Sequence, residues 1–400
     1  MSADPDVSEV LKIAVASHYS QLALTKWQEF LLGQELNWYA LAKLSNAWGL
    51  SPVLYDRVRQ TPSLAIPIET TRLLATDYQA TATFNLLALH ELTKILDALM
   101  PLKIPVVLLK GIALLHSVYD NYAFRPMFDL DLLIQFKHLE QIVAALTIVG
   151  YQQLHPEPFH NYQGLFWNEV LLVNSGPSKM QVELHWNLVD NPHYARKLKT
   201  EKLIARCRIK HEAGYDLLLL APDDQILHLC IHNAYHHQNR LQRSLVDIAF
   251  VANHFSDEIN WDRLANSAIA NDMTLAVATN LTLAANEWFA PVPMEILQHL
   301  EKTGIEIRER FYFLGQRSEF LKLGRTLITL PGLKSKIFFI LGQLFPDRDF
   351  MVWRYGNGST RPTIVLYLKR YASGLRGLIF EVIGRPRWLV KKRNNTKTPV

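Results

Sequence analysis

The chain has 400 residues, of which 49% are hydrophobic and 20% charged, so it has enough apolar material for a folded core and is not a mainly disordered chain. Its formal net charge of +5 is small for this length, which argues against a protein held to nucleic acid mainly by phosphate contacts. Two cysteines, Cys207 and Cys230, are too few for a disulfide scaffold or a cysteine-ligated zinc site.

The sequence gives no indication of export or of a membrane span. The first nine residues carry three acidic side chains and no basic segment before an apolar run, so no secretory signal is predicted. No uninterrupted apolar run reaches about 18 residues, the length expected of a membrane-spanning helix. Together with the low cysteine count, these features predict a cytoplasmic protein.

Residues 1–100 are predicted to form an N-terminal helical region of four or five helices. Apolar residues recur there at intervals of three and four, as in Leu92, Leu96 and Leu99, which is typical of one buried helix face. Pro52 follows a serine and is predicted to lie in the first turn of a helix.

The pattern changes in residues 101–215, which are predicted to form a compact α/β core. Helices are expected at 111–119 and at 139–149, the second closed by Gly150. Short apolar runs bounded by turn residues predict four strands, the last two joined as a hairpin. These strands span residues 105–109, 128–134, 166–173 and 180–186.

Helical periodicity returns in residues 216–320, and residues 321–400 are predicted to form a basic, partly helical C-terminal region. From Arg354 onward there are eleven Lys or Arg and a single acidic residue, Glu381. This order of elements predicts an α+β fold, in which a small mixed β-sheet core is flanked by N-terminal and C-terminal helical regions.

Two aspartates in the second predicted strand suggest a metal site. Asp129 and Asp131 are separated by one residue, so their side chains point to the same face of a strand. Adjacent carboxylates on a packed sheet repel each other unless a cation offsets their charge, and Mg²⁺ or Mn²⁺ prefers such oxygen ligands. Glu183, in another predicted strand, is the expected third ligand. We therefore predict that Asp129, Asp131 and Glu183 hold metal.

The segment before the aspartates is suited to phosphate binding. Lys110 and Gly111 lie where the first predicted strand turns into a helix, and a glycine there lets a phosphate approach the free N–H groups of the helix. Arg125 precedes Asp129 by four residues and is placed to contact a phosphate or to balance the carboxylates. Ion pairing alone is an open alternative for Lys110 and for Glu183.

The order of these residues resembles a bacterial family of uncharacterised nucleotidyltransferases, a branch of the DNA polymerase β-like superfamily. The resemblance covers about residues 20 to 300 and includes the Asp247-Ile-Ala and Asn260-Trp261-Asp262 segments. Its main motifs, in chain order, are Lys110-Gly111, Arg125, Asp129-Leu-Asp131 and Val-Glu183-Leu-His185-Trp186. Superfamily members commonly have Gly-Ser at the strand–helix turn, whereas this chain has Gly111-Ile112 after Lys110.

The resemblance implies a nucleotidyltransferase core that uses Mg²⁺ (or Mn²⁺) and an NTP. Asp129 and Asp131 would bridge two ions, and Glu183 would hold the ion nearer the nucleophile. The reaction would transfer NMP from the NTP to an acceptor that the sequence does not identify: a protein, a metabolite, a sugar or an RNA end. The alternative is a catalytically silent module of the same fold that binds a nucleotide or a partner.

Two further segments have open roles. His228, His232 and His236 are spaced to share a helix face, with His237 beside them, which suits zinc or contact with a substrate but is more typical of packing near a cleft. A zinc-dependent hydrolase centred on these histidines is a third and less favoured hypothesis for the function of the chain. The basic C-terminus is either a solvated helix face with a frayed tail or a weak contact site for an anionic surface.

Overall fold

The computed structural model describes residues 6–33, 36–61, 66–158, 162–304, 309–310, 319–356 and 363–383. The chain divides into two compact units. Unit 1 combines Met1–Leu154 with Asn168–Phe313, and unit 2 combines His155–Trp167 with Leu314–Val400.

Unit 1 begins with five helices, in agreement with the predicted helical region. Asn37 caps α3 through a side-chain bond to the amide of Ala40, and Gly49 ends it in the left-handed conformation. Pro52 lies in the first turn of α4, as predicted. The five helices are α1 Val7–Ala16, α2 Gln21–Gly33, α3 Trp38–Trp48, α4 Ser51–Arg59 and α5 Ile68–Leu99.

A seven-stranded mixed sheet forms the centre of unit 1, so the predicted α+β fold is confirmed. The strand order is β3-β4-β5-β2-β1-β7-β6, with β2·β5 and β1·β7 parallel and the other neighbours antiparallel. The strands are β1 Val107–Leu108, β2 Leu130–Leu133, β3 Tyr151–Gln153, β4 Glu169–Asn174, β5 Gln181–His185, β6 Arg208–Glu212 and β7 Tyr215–Leu219.

The central strand β2 is buried along its whole length. Its apolar members Leu130 and Leu132 are fully buried, as expected for a strand that pairs on both edges. Asp131 is also buried, with only 2% of its surface exposed. A buried carboxylate needs a cationic partner, so a charged functional site is expected around Asp131.

Helices surround the sheet. In the described part of the chain, four helices of unit 1 lie between strands, one after β1, one after β2 and two after β5. Pro222 begins the long helix α11, which follows the sheet and is buried along most of its length. Within its described residues, the helices of unit 1 after α5 are α6 Lys110–Leu115, α7 Leu139–Ile148, α9 Pro192–Lys197, α10 Thr200–Ile204, α11 Pro222–His237, α12 Gln242–His254, α13 Trp261–Ala270, α14 Thr274–Trp288 and α15 Met294–Lys302.

Unit 2 is helical in its described part and has its own apolar cluster, formed by Tyr162, Phe166, Leu330 and Phe339. Its helices are α8 Tyr162–Phe166, α16 Glu319–Thr329, α17 Gly332–Leu344, α18 Arg348–Tyr355 and α19 Thr363–Ile383. In the part of the chain that is described, none of the helices combines the length and the apolar character that crossing a bilayer requires. The basic segment 384–400 lies outside the described residues.

The sheet differs from the prediction at several places. Only Val107–Leu108 of the predicted strand 105–109 form β1, and β4 begins at Glu169, since Phe166, predicted to begin this strand, ends a helix. The predicted strand 128–134 begins only at Leu130, because its parallel partner β5 pairs from Val182 onward, opposite Leu130. The antiparallel pair β6·β7 and the short edge strand β3 were not predicted. The predicted hairpin between the third and fourth strands is present as β4·β5.

Candidate metal centre

Asp131 and Glu183 lie side by side at the centre of the sheet. They are directly opposite each other in the parallel register of β2 and β5, so their side chains leave the same sheet face. Asp131 is buried, whereas 22% of the Glu183 side chain is exposed. The structure thus brings together the two acidic residues that the sequence analysis took from different strands.

Asp129 lies in a bend one residue before β2, and not within the strand as predicted. Its side chain nevertheless lines the same pocket as Asp131 and Glu183. Burial, followed by the charges of Asp131 and Glu183, raises the pKa of Asp129 to about 6. Burial and the two neighbouring carboxylates therefore both favour the neutral form of Asp129.

His185 is a central member of this group that the sequence analysis did not assign to the site. It follows Glu183 by two residues on β5, and its Nε2 atom lies 2.9 Å from Asp131 Oδ1 and 3.3 Å from Glu183 Oε2. Its Nδ1 atom lies 2.9 Å from Oε2 of Glu169, the residue opposite it on β4. Asn168 in turn donates a hydrogen bond to Glu169. The imidazole is buried and is held on both of its nitrogens.

The pKa values of this network follow from its charges. Burial and Lys110 would lower the pKa of His185, but Glu169 and Asp131 outweigh them and raise it well above its ordinary value. Burial would raise the pKa of Glu169, yet His185 and Lys110 lower it to about 2. The pKa of Asp131 is also held well below its ordinary value, because Lys110 and His185 outweigh its burial.

Lys110 contributes the ammonium group of the site. Its Nζ atom lies 2.6 Å from Asp131 Oδ1 and 3.4 Å from Glu183 Oε2. The amide of the preceding Leu109 donates to the carbonyl of Asp131, which fixes the start of α6 against β2. Lys110 has a φ of 44°, in the left-handed region that residues other than glycine seldom adopt.

Gly111 is required by packing. A Cβ atom at this position would lie 2.9 Å from Cβ of Met127, closer than real Cβ contacts, and 3.4 Å from Nη1 of Arg125. The first turn of α6 can therefore approach the 125–127 segment only with glycine here. In the sequence this glycine suggested phosphate binding; the geometry adds a structural reason for it.

Arg125 lines the pocket but is committed to a buried ion pair. Its Nε atom lies 3.1 Å from both carboxylate oxygens of Asp247, and its Nη2 atom lies 2.9 Å from Oδ2. The hydroxyl of Tyr119 also donates to Asp247, and Asn85 donates to the carbonyl of Arg125. Arg125 thus balances the charge of Asp247 on α12 and not that of the predicted metal-binding carboxylates, although it lines the pocket.

Arg243, also on α12, was missed by the sequence analysis. It lines the pocket, and among the described residues its guanidinium has neither a hydrogen bond nor a carboxylate within ion-pair distance. Its Nε atom is buried without a partner, and burial followed by the charge of Arg125 lowers the pKa of Arg243 to about 10. An unpaired guanidinium beside a pocket is suited to an anionic ligand.

The histidines of α11 face the same pocket. The rings of His232 and His236 are stacked with centroids 4.9 Å apart, and His228 and His237 lie next to His232. Burial, with the charge of Lys110 next, lowers the pKa of His228 to about 3, and burial, with His236 next, lowers that of His237 to about 4. Within the described ranges these histidines are not part of any group of three prospective metal ligands.

The group that does meet this criterion consists of Asp131, Glu183 and His185, whose ligand atoms lie within 4.8 Å of one another. It opens into a pocket of about 320 Å³ with Lys110, Arg243 and the α11 histidines on its walls. Hard oxygen donors and an imidazole nitrogen fit a divalent cation. The pocket therefore combines a prospective cation site with cationic side chains at its walls.

A comparison with protein families finds a match over more than half of the chain. The profile of a family described as "Uncharacterised nucleotidyltransferase" matches residues 34–290, which include the whole sheet and every side chain of the pocket. No curated protein shows a significant match to the chain.

Proposed function

Because the chain belongs to the uncharacterised nucleotidyltransferase family, we propose that it transfers a nucleoside monophosphate from an NTP to an acceptor in a metal-dependent reaction. In this reaction the acceptor oxygen forms a bond to the α-phosphorus, the bond from that phosphorus to the bridging oxygen breaks, and pyrophosphate leaves. The acceptor proton passes to solvent or to a basic group of the site.

The excess of acidic groups on one sheet face is the observation that carries the proposal. Four carboxylates line the pocket: Asp129, Asp131, Glu169 and Glu183. Lys110, a protonated His185 and Arg243, which pairs with no carboxylate of the described residues, supply three positive charges against these four, which leaves one negative charge. Arg125 does not change this balance, since Asp247 neutralises it. A divalent cation offsets the remaining charge.

We assign the metal to Asp129, Asp131 and Glu183, the last two being adjacent in register. Mg²⁺ or Mn²⁺ bound there would polarise the acceptor hydroxyl and neutralise the leaving pyrophosphate. Asp131 is the best fixed of the three carboxylates, because it is buried and is bonded by both Lys110 and His185. Preformed positions of this kind reduce the reorganisation that the reaction requires.

We place the triphosphate along Lys110, Gly111 and Arg243. When cations occupy the carboxylates, the ammonium of Lys110 is free to turn toward phosphate, because its four-carbon chain is flexible. Gly111 lets the first turn of α6, with its free amides, lie close to the 125–127 segment at the pocket wall. Arg125 lies at the same wall and holds the segment that contains Met127 and leads to Asp129.

The acceptor belongs in the neighbouring cavity of about 520 Å³, which shares Met127, Phe128, Leu241 and Arg243 with the site pocket. Its other walls include Trp48 and Phe84, so an acceptor with an apolar or aromatic portion fits it. Protein, metabolite, sugar and RNA acceptors all remain candidates under this description.

A catalytically silent binding module is the second candidate, and one contact favours it. The ammonium of Lys110 already lies 2.6 Å from Asp131, where it partly replaces a metal ion. If this ion pair is permanent, the pocket binds nucleotide without transferring it. The two candidates differ in whether Mg²⁺ or Mn²⁺ displaces Lys110 from the carboxylates.

Substitution of Asp131 tests the proposal. Asp131→Asn preserves shape but removes the best-fixed charge, so we expect at least about a 100-fold loss of labelled-NMP transfer and pyrophosphate release, since bound metal contributes several kcal/mol and about 1.4 kcal/mol is tenfold. Circular dichroism checks that the variant folds. The control is Asp257→Asn, which removes an exposed aspartate whose hydrogen bond is to the adjacent Ser256. Equal turnover in Asp131→Asn and the control would refute the metal-dependent mechanism.

A further inference from the structure

We propose that His185 is itself a metal ligand, through Nε2, beside Asp131 and Glu183, and that the site consequently prefers Mn²⁺ to Mg²⁺. The inference rests on the proposed function in one respect only, the presence of a divalent cation at these carboxylates. It changes the ligand set from three carboxylates to a mixed set of oxygen and nitrogen donors.

The spacing of the donor atoms carries the first step. Nε2 of His185 lies 2.9 Å from Asp131 Oδ1 and 3.3 Å from Glu183 Oε2. Neighbouring ligands around an ion with bonds of about 2.1 Å are about 3.0 to 3.4 Å apart in octahedral or tetrahedral geometry. Both pairs that involve His185 are therefore separated as neighbouring ligands of one small cation are, and all three ligand atoms lie within 4.8 Å of one another.

The second step is the orientation of the ring. Glu169 lies 2.9 Å from Nδ1, so the imidazole donates its Nδ1 proton to this carboxylate and directs Nε2 toward Asp131 and Glu183. A carboxylate that holds one nitrogen while the other binds metal is the usual arrangement around metal-bound histidines. Asn168 fixes Glu169 from behind, and His185 is only 4% exposed. The ring can therefore keep this direction without rearrangement.

The third step concerns the charge of the ring. A neutral His185 that donates from Nδ1 presents a lone pair at Nε2, which two carboxylate oxygens at 2.9 Å and 3.3 Å would repel. Either a proton or a metal ion must lie between them. The ammonium of Lys110 lies beside the same Asp131 oxygen. Two cationic groups, this ammonium and the protonated imidazole, therefore lie where a metal ion would bind. A divalent ion there would replace the Nε2 proton and displace the ammonium.

The choice of ion follows from the donors. Carboxylate ligands suit both Mg²⁺ and Mn²⁺, whereas an imidazole nitrogen is a poor ligand for Mg²⁺ and a good one for first-row transition ions. Three carboxylates alone would give little discrimination between the two. A buried and oriented His185 adds a favourable contribution to the binding free energy of Mn²⁺ that Mg²⁺ does not gain. We therefore expect Mn²⁺ to bind at least about tenfold more tightly than Mg²⁺.

Electron paramagnetic resonance of the Mn²⁺-loaded, full-length protein tests the proposal without an activity assay. Electron spin echo modulation should show coupling to a directly bound ¹⁴N nucleus. In protein grown with [¹⁵N]histidine the coupling should change to that of ¹⁵N, which requires no mutation and no refolding control. Bound Mn²⁺ without any nitrogen coupling would overturn the assignment.

Variants then identify the histidine. His185→Gln should remove the coupling, and Glu169→Gln, which retains the ligand but loses the oriented acceptor, should weaken Mn²⁺ binding about 10- to 100-fold. The matched control is His236→Gln, an exposed pocket histidine on α11 that should leave the coupling unchanged. Loss of coupling in His236→Gln, with retention in His185→Gln, would place the ligand on α11 and refute the proposal.

The outcomes are separable from those of the proposed function. NMP transfer with no nitrogen coupling would remove His185 from the ligand set and leave the nucleotidyltransferase activity standing. Nitrogen coupling that depends on His185, together with the absence of NMP transfer, would retain the metal site and favour the silent binding module.

Discussion

Arg125 and Arg243 both border the site, but their surroundings differ. Arg125 is buried and shares its charge with Asp247, whereas Arg243 has no carboxylate or hydrogen-bond acceptor among the described residues. Removing one partner of a buried pair leaves an uncompensated charge, and removing an unpaired cation does not. The same chemical change should therefore affect stability at Arg125 and ligand binding at Arg243.

We expect Arg243→Gln to raise the KM for NTP, or the Kd of a non-hydrolysable analogue, by about 10- to 100-fold, because hydrogen bonds to charged groups contribute about 1.5 to 3 kcal/mol. Arg125→Gln should instead lower the free energy of unfolding by about 3 to 5 kcal/mol. Steady-state kinetics and chemical denaturation separate the two. Arg240→Gln, an exposed arginine nearby, is the control. An unchanged KM in Arg243→Gln would exclude it from phosphate binding.

At this scale the sequence predicted the acidic residues better than their partners. Asp131 and Glu183 stand out because charged residues are unusual in apolar strands, and the structure places them in register. His185 and Glu169 gave no comparable signal, because their relation depends on the β4·β5 register across a hairpin. Within the described ranges, Arg243 lacks a carboxylate partner because of residues that are distant from it in the sequence, so a local sequence pattern does not predict this feature.

Secondary-structure elements were predictable where hydrophobic periodicity is strong. The strands β1, β2, β4 and β5 all overlap predicted segments, and the helices α11 to α14 lie in residues 216–320, where helical periodicity was found. The strand β6 was missed because its five residues are mostly exposed and polar, so they lack the alternation of a half-buried strand. Its turn, Ala213-Gly214, has two positive φ angles, which is typical of a tight hairpin, but alanine is an uncommon residue for that conformation.

The junction between β1 and α6 allows a test at the level of elements. Gly111→Ala places a Cβ atom 2.9 Å from Cβ of Met127, so α6 or the 125–127 segment must shift. We expect a loss of about 1 to 3 kcal/mol in the free energy of unfolding, as in other overpacked sites, and weaker nucleotide binding through the displaced Lys110. Chemical denaturation and nucleotide titration measure the two effects.

The control for this junction is Gly324→Ala in α16, where an added Cβ meets no atom within 4 Å. It should leave stability unchanged or raise it by about 1 kcal/mol, because alanine favours a helix. Adding Met127→Ala to Gly111→Ala should not restore the lost stability, since the atom nearest to the new Cβ is Cβ of residue 127 and alanine retains it. Restoration by Met127→Ala would show that the longer Met127 side chain, rather than its Cβ, causes the strain.

At the scale of the whole molecule, the half-buried His18 and the buried Glu309, both outside the site, link stability to pH in opposite directions. Burial, followed by the charge of Arg57, lowers the pKa of His18 to about 3, so this histidine is neutral when folded and gains a proton on unfolding below pH 6.5. Burial raises the pKa of Glu309 to about 7, so the folded state holds its proton between pH 4.5 and 7. The stabilisation from His18 is lost as the pH falls, and that from Glu309 is lost as the pH rises.

His18→Gln isolates one of these contributions. The ring of His18 contacts Phe124 at a centroid distance of 5.3 Å, and its Nε2 atom lies 3.1 Å from the carbonyl of Val53; glutamine can still donate to this carbonyl but does not titrate. At pH 7 the variant should be less stable than the wild type, because it loses the ring contact with Phe124, and this loss does not depend on pH. As the pH falls from 6.5 toward 4, the wild type should lose up to about 1.4 kcal/mol per pH unit that the variant does not lose. The gap between their unfolding free energies in urea should therefore narrow with acidification, since all other histidines are common to both. A gap that stays constant or widens would mean that His18 is protonated in the folded state, and that acid unfolding is governed by other groups such as the buried histidines of α11.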